Sequence, residues 1–285
     1  MQLAETHIAL PQENPIRLQE YAVGIFNSTS TKSGIKKAIK KGLILVNSQP
    51  ASTALFITGG EKIELFKDEK SQHLKRLELP LEVLFEDDYL AVVYKPAGVL
   101  VSGNKFVTIT NALPQNLQKS KQSDAVRPQP IHRLDYPTSG LLLIGKTSSA
   151  ITLFSQLFEN KKIQKTYHAV CIGKMKQKGT INIAIENKEV FTTYCVLKAA
   201  TSKRFDSLNL VELSPKTGRK HQLRIHLSSI GNQILGDKEY GNPELILKGK
   251  GLYLHASTLA FIHPFTKAPI SITKELPKKF KKIFP

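Results

Sequence analysis

Apolar positions early in the chain recur at helical intervals. Leu18, Tyr21, Ala22, Ile25 and Phe26 fall on one face. A second helix is predicted from Ser33, as its cap, to a stop at Gly42. Ile35, Ala38 and Ile39 form its apolar face, and Lys36, Lys37, Lys40 and Lys41 most of the other. The pattern then changes to short runs. Residues 43–46 and 62–65 predict strands, separated by turns at 47–50 and at Gly59-Gly60. Residues 1–66 thus form a small unit, and the charged, aperiodic stretch at 67–80 predicts a linker.

Residues 81–285 carry a second pattern. Strands are predicted at 81–85 and 90–93, joined by a Glu86-Asp87-Asp88 turn. The polar stretch 119–129 predicts a mobile loop, and the apolar run 141–144 a buried strand. Ala150, Leu153, Phe154 and Leu157 mark a helix over 147–158. Strands follow at 166–172, 180–185 and 208–213. A last helix begins between Gly218 and Lys220 and stops at Gly231; Leu223, Leu227 and Ile230 lie on one face, and His221, Arg224 and Ser228 on its neighbour. Residues 278–282 read as a solvated lysine-rich tail.

Charge narrows the partner. The 285 residues carry a net charge of +18, which favours a polyanion, either nucleic acid or an anionic membrane surface. No apolar run approaches the ~18 residues needed to cross a bilayer, and the first residues lack the basic start and apolar core of a signal peptide. The expectation is a cytoplasmic protein that binds nucleic acid. Cys171 and Cys195 have no Cys/His partner at metal-ligand spacing, so no metal site is expected and both read as buried free thiols.

Three segments carry candidate chemistry. In the first, Pro128, Pro130, Pro137 and Gly140 punctuate a loop that places Asp135 beside Arg133, just before the buried run. Such a carboxylate either caps a turn or meets a ligand. In the second, Arg219, Lys220, His221 and Arg224 cluster at the start of a helix, where free N–H groups and the dipole favour an anion; the alternative is an amphipathic surface helix. In the third, Lys165-Thr166-Tyr167 on a strand sets Tyr167 either to pack or to lie against a base.

Two resemblances join these segments. Residues 15–66 resemble the αL-type (S-four-like) RNA-binding domain, on Arg17-Leu18, the lysine-faced helix, the run from Gly42 to Asn47 and Gly60-Glu61-Lys62-Ile63. From Leu81 to about Pro264 the chain resembles the RluA family of pseudouridine synthases. The matching runs are Glu86-Asp87-Asp88, Tyr94-Lys95-Pro96-Ala97-Gly98, His132-Arg133-Leu134-Asp135, Thr138-Ser139-Gly140-Leu141-Leu142, Lys165-Thr166-Tyr167, Thr217-Gly218-Arg219, the run from His221 to His226, Leu235-Gly236-Asp237, Tyr240-Gly241, Leu254-His255-Ala256 and His263-Pro264. The chain departs from the usual pattern at Ser102, Tyr136-Pro137, Lys220 and Asn232-Gln233.

The second resemblance implies an α+β fold, a mixed and largely antiparallel sheet flanked by helices, and the isomerisation of uridine in RNA. Ribosomal RNA is the first expectation and transfer RNA the second, with a monomer as the default. The reaction is redox-neutral and brings in no outside group, so it demands no cofactor. The resemblance implies Asp135 as the catalytic carboxylate, Arg224 beside it as the charge that keeps it ionised, and Tyr167 stacked on the target nucleotide and placed to help remove the C5 proton. Arg133 would enter the space left by the flipped uridine, and Leu254 would line the base pocket. Lys36, Lys37, Lys40, Lys41, Arg219, Lys220 and His221 would hold RNA. Two other classes compete: a non-catalytic RNA-binding assembly factor, and a glycoside-cleaving enzyme, which would need a second acid such as Asp237.

Overall fold

A computed structural model describes residues 2–26, 28–29, 31–67, 77–247 and 249–285. The chain divides into two compact units, Met1–Arg76 and Leu77–Pro285. Most of the expected linker, residues 68–76, lies outside the described residues. Its last part, 77–80, belongs to the second unit, where Leu77 and Leu79 pack on a core shared with Leu81. Among the described residues no helix is long and apolar enough to cross a membrane.

The first unit runs β1 (Gln2–Ile8), β2 (Ile16–Arg17), α1 (Leu18–Tyr21), α2 (Lys32–Lys40), β3 (Ile44–Val46), β4 (Gln49–Pro50), β5 (Phe56–Ile57) and β6 (Lys62–Lys67). An antiparallel sheet ordered β1-β6-β3-β4 and the β2-β5 pair accompany the helices. Leu18, Ile35, Ile39, Ile44, Ile57 and Ile63 share one core. Helix α1 stops after one turn, although Ala22 and Phe26 continue its apolar spacing and stay buried in the turns that follow. The cap of α2 is Thr31 rather than Ser33: its hydroxyl accepts the Gly34 N–H at 3.1 Å. Lys36, Lys37 and Lys40 are exposed on α2, and Lys41 on its C-cap.

The second unit runs β7 (Val83–Glu86), β8 (Leu90–Lys95), α3 (Ile109–Asn116), β9 (Ala125–Pro130), β10 (Ser139–Thr147), α4 (Ser148–Glu159), β11 (Gln164–Ile172), β12 (Lys178–Ile181), β13 (Thr192–Ser202), β14 (Asp206–Pro215), α5 (Gln222–Ser229), β15 (Leu254–Ile262), β16 (Pro269–Thr273) and α6 (Lys278–Lys281). One sheet orders the strands β12-β13-β14-β11-β15-β10-β8-β7, with β16 beside β15 and β9 beside β10. Its named pairs are antiparallel except β10 with β15, which run parallel over only Ser139↔His255 and Gly140↔Ala256. Past that seam β10 turns to β9 and β15 to β16, so the sheet forks. Leu142 and Ile144 bury one face of β10 with α3; Leu141 and Leu143 bury the other with Phe154 of α4.

Gly140 makes the seam possible. Its φ is +129°, and a β-carbon there would lie 2.2 Å from the Ala256 carbonyl oxygen.

Three expectations are corrected. The polar stretch 119–129 is not wholly a loop, because residues from Ala125 onward form β9 and pair with β10. The lysine-rich 278–282 segment is not a solvated tail: Phe280 inserts into the core of β11 and β14, and Lys279 donates to the Leu252 carbonyl at 2.6 Å. Cys171 is buried, but Cys195 is only half-buried.

Candidate active site

The loop 131–138 joins β9 to β10 and is held from three sides. Leu134 anchors it in the core. The Thr138 N–H closes a turn onto the Asp135 carbonyl at 3.0 Å, and the Gly98 N–H reaches the Tyr136 carbonyl at 2.8 Å. Beneath it lies Lys95, a fully buried lysine at the end of β8. Its ammonium donates to the carbonyls of Thr138 at 2.6 Å, Pro96 at 3.0 Å and Tyr136 at 3.3 Å. Burial brings the Lys95 pKa down to about 8, against the opposing pull of the Asp135 charge. His132 is a structural member of the loop. Its Nε2 accepts the Leu143 N–H at 3.1 Å, and burial, aided by the nearby Lys165, holds the ring neutral with a pKa of about 4.

The opposite wall comes from β11 and the approach to α5. Tyr167 sits on β11, where the pairing with β15 bulges. Burial and then the Asp135 charge push its phenol well above the ordinary range, so it stays protonated. Helix α5 begins at Gln222, later than the 218–220 start expected, because Gln222 uses its side chain to fix the preceding loop. Its Oε1 accepts the Thr217 hydroxyl at 2.7 Å and the Arg219 N–H at 3.1 Å, and its Nε2 donates to the Thr192 hydroxyl at 3.0 Å. The Arg219 N–H is therefore committed within the loop.

His221 holds a left-handed backbone, φ +56°, just before the helix. Such conformations are uncommon outside glycine and concentrate at functional sites. Its Nε2 lies 3.6 Å from Asp135 Oδ1; its Nδ1 lies 2.9 Å from the Tyr240 hydroxyl and 3.3 Å from Glu239 Oε1.

The expected pairing of Arg224 with Asp135 is corrected. The guanidinium is buried and makes a two-point bond to Asp237, 2.8 Å from Nε to Oδ2 and 2.7 Å from Nη2 to Oδ1, with a further 3.1 Å contact to Glu239. Asp135 contributes only at longer range, as the last of the charges favouring the cation. Asp237, weighed above as a second acid, is instead the counter-ion of Arg224. Burial alone would raise its pKa, but Arg224 and the N–H groups of Tyr240 and Glu239 outweigh burial and lower it. The predicted face of His221, Arg224 and Ser228 does converge, and its common target is Tyr240: the ring lies 4.9 Å from the Arg224 guanidinium carbon, and the Ser228 hydroxyl donates to its carbonyl at 2.6 Å.

Asp135, Tyr167, Arg224, Leu254, Arg133, Arg219, Lys220 and His221 all line one cavity of about 120 Å³. Arg133, Arg219 and Lys220 are exposed, while Leu254 is buried in the wall at the start of β15. Thr138 also lines the cavity, and its buried hydroxyl has no hydrogen-bond partner among the described residues. The lysines of α2 belong to the first unit. Lys95 and Tyr240 hold the site without having carried an expected role. A lone lysine ending the apolar run 90–94 was a visible signal for the first; nothing local marked the second.

Comparison with known proteins identifies the family. Residues 89–229 match the RNA pseudouridylate synthase family. The chain is 30% identical to a ribosomal large subunit pseudouridine synthase C of Rickettsia felis, over 93% of this chain and 94% of that protein. It is 29% identical to a synthase D of Xylella fastidiosa, over 87% and 82%. Among solved structures, human RNA pseudouridylate synthase domain containing 4 superposes with a TM-score of 0.58 at 26% identity, covering 70% of this chain and 90% of that one. The match to the Rickettsia felis relative, 30% identical along nearly the whole of both chains, and the family match at 89–229 show that the chain belongs to the RNA pseudouridylate synthase family, in its RluA-type branch.

Proposed function

We propose that this RNA pseudouridine synthase acts on ribosomal RNA and that Asp135 is its catalytic carboxylate. The observation that carries the assignment is the meeting of Asp135 with Tyr167, Arg224 and Leu254 in one small, cation-rimmed cavity. The names of the relatives from Rickettsia felis and Xylella fastidiosa support the ribosomal substrate.

The reaction breaks the bond from C1′ to N1 of uracil, turns the freed base, forms the bond from C1′ to C5 and releases the C5 proton to solvent while N1 takes one up. A carboxylate serves as nucleophile or as partner of a cationic sugar, and a cavity closed to water protects the detached base. Tyr167 stacks on the base, with its phenol kept protonated by burial and by the Asp135 charge. Arg133, exposed at the rim, fills the space the flipped nucleotide leaves. The Arg224–Asp237 pair fixes the guanidinium in the wall and leaves Asp135 outside that ion pair. Arg219, Lys220, His221 and the α2 lysines contact phosphates, and residues 1–66 act as the S-four-like RNA-binding unit of a cytoplasmic monomer.

The test uses RNA tritiated at uracil C5. Wild-type protein releases the label, whereas Asp135→Asn binds the same RNA and releases none; full turnover by Asp135→Asn would refute the assignment. Mapping pseudouridine in cells with and without the protein identifies the RNA. A site lost from transfer RNA rather than ribosomal RNA would replace the proposed substrate.

A further inference from the structure

Beside the catalytic cavity lies a larger groove of about 620 Å³. The two share a wall that includes Arg133, Lys165, Tyr167 and Arg219. The groove adds Lys161, from the turn between α4 and β11, and Lys216, just beyond β14. Arg133, Lys161, Lys216 and Arg219 are all exposed, and among the described residues none of their side chains has an ion pair or hydrogen bond within the protein. Glu159 is the one carboxylate on the wall. Cations that converge without internal partners repel one another unless an anion joins them. The half-buried Phe158 also lines the groove, with the Lys165 ammonium over its ring at 5.7 Å and the His132 ring at 5.0 Å. A positively charged groove that tracks the backbone is a general means of holding a single strand of nucleic acid.

The other side of Arg133 differs. A groove of about 580 Å³ there is lined by Ser102, Thr110, Asn111 and Gln129, with Arg127 as its only cation besides Arg133. Arg133 thus stands between a strongly cationic groove and a mainly neutral one.

We propose that the cationic groove seats the single-stranded RNA flank on one side of the target uridine and grips its phosphates through Lys161 and Lys216, while the flank across Arg133 is held with little electrostatic help. The inference rests on the family's reaction at Asp135, because the groove opens into that cavity. It adds a polarity to RNA binding: most of the electrostatic grip falls on one side of the flipped nucleotide.

The test measures affinity apart from chemistry. Binding of a short single-stranded RNA containing one uridine is followed by fluorescence anisotropy in the Asp135→Asn background across a salt series. Lys216→Glu is compared with Arg127→Glu, one charge reversed on each side. The expected result is a Kd about fivefold weaker for Lys216→Glu, and more than about twentyfold weaker when Lys161→Glu is added. The slope of log affinity on log salt falls by about 0.7 per lost phosphate contact. Arg127→Glu shifts Kd less than about twofold. In the active background Lys161→Glu/Lys216→Glu raises KM and leaves kcat at saturating RNA within about twofold. Equal losses on the two sides would overturn the proposal by pointing to the general positive field. An unchanged Kd for the double variant, or a loss confined to kcat, would also overturn it. Failure of the catalytic reading is separately visible, as wild-type protein that binds this RNA asymmetrically yet releases no label from any uridine-containing RNA.

Discussion

Arg224 gives its two-point hydrogen bond to Asp237, while His221 Nε2 stands 3.6 Å from the Asp135 carboxylate. The cavity is therefore built from two linked acid–base sets: a structural ion pair in the wall, and a carboxylate at its centre that, among the described residues, has no ion pair to a lysine or arginine.

The ion pair sets the first expectation. Asp237→Ala strands a buried guanidinium, which typically costs about 3–5 kcal/mol. Thermal unfolding should show a large fall in Tm, accompanied by lost turnover as Arg224 turns toward Asp135. The carboxyl of Asp237 is held below its ordinary range, so its stabilising contribution is complete above the ordinary aspartate pKa of about 3.9 and is lost as pH falls through the lower folded value. A variant with unchanged Tm and activity would show that the pair is dispensable.

Lys95 predicts a divergence between stability and rate at alkaline pH. Its folded pKa is about 8, below the ordinary lysine value of about 10.4. Between those values the unfolded chain holds a proton that the native protein has released, so this group makes stability rise with pH in that window. Activity should move the other way, because the Tyr136 and Thr138 carbonyls of the loop and that of Pro96 lose their charged donor. Lys95→Met should remove the alkaline gain in Tm and cut kcat on the order of 10²-fold, the scale of a 1 Å misplacement. Paired kcat and Tm profiles check this. A flat kcat through this window would show that the charge on Lys95 does not hold the loop in place.

Gly140→Ala tests the seam. The added methyl would overlap the Ala256 backbone at 2.2 Å while φ stays at +129°. Backbone cannot yield as a flexible side chain does, so the loss should exceed about 3 kcal/mol, in the range reserved for special backbone positions. Circular dichroism and thermal unfolding decide it; a variant within about 1 kcal/mol of wild type would mean that the strands tolerate separation there.

What the chain disclosed in advance follows a physical division. Elements governed by local periodicity were legible: the helix over 147–158 appears as α4, capped by Thr147, and the apolar run 141–144 lies within β10. Elements decided by distant partners were not. Strand β9 looks polar because it alternates half-buried and exposed residues against β10, and β1 has no regular alternation to reveal its pairing with β6. The shared cavity of Asp135, Tyr167 and Arg224 was expected from the family's motifs, but no spacing rule could show that Asp237, thirteen residues beyond Arg224, would claim the guanidinium.

The narrow parallel seam also has a temporal meaning. Asp135 precedes one of its strands, and Leu254 opens the other, 119 residues later. Contacts so far apart in sequence form late, after the entropy of closing the intervening chain has been spent. Until they form, the cavity that Asp135 and Leu254 line has only half its walls, so a nascent chain or a partly refolded one is expected to be chemically silent toward RNA even if its basic surfaces already cling to it.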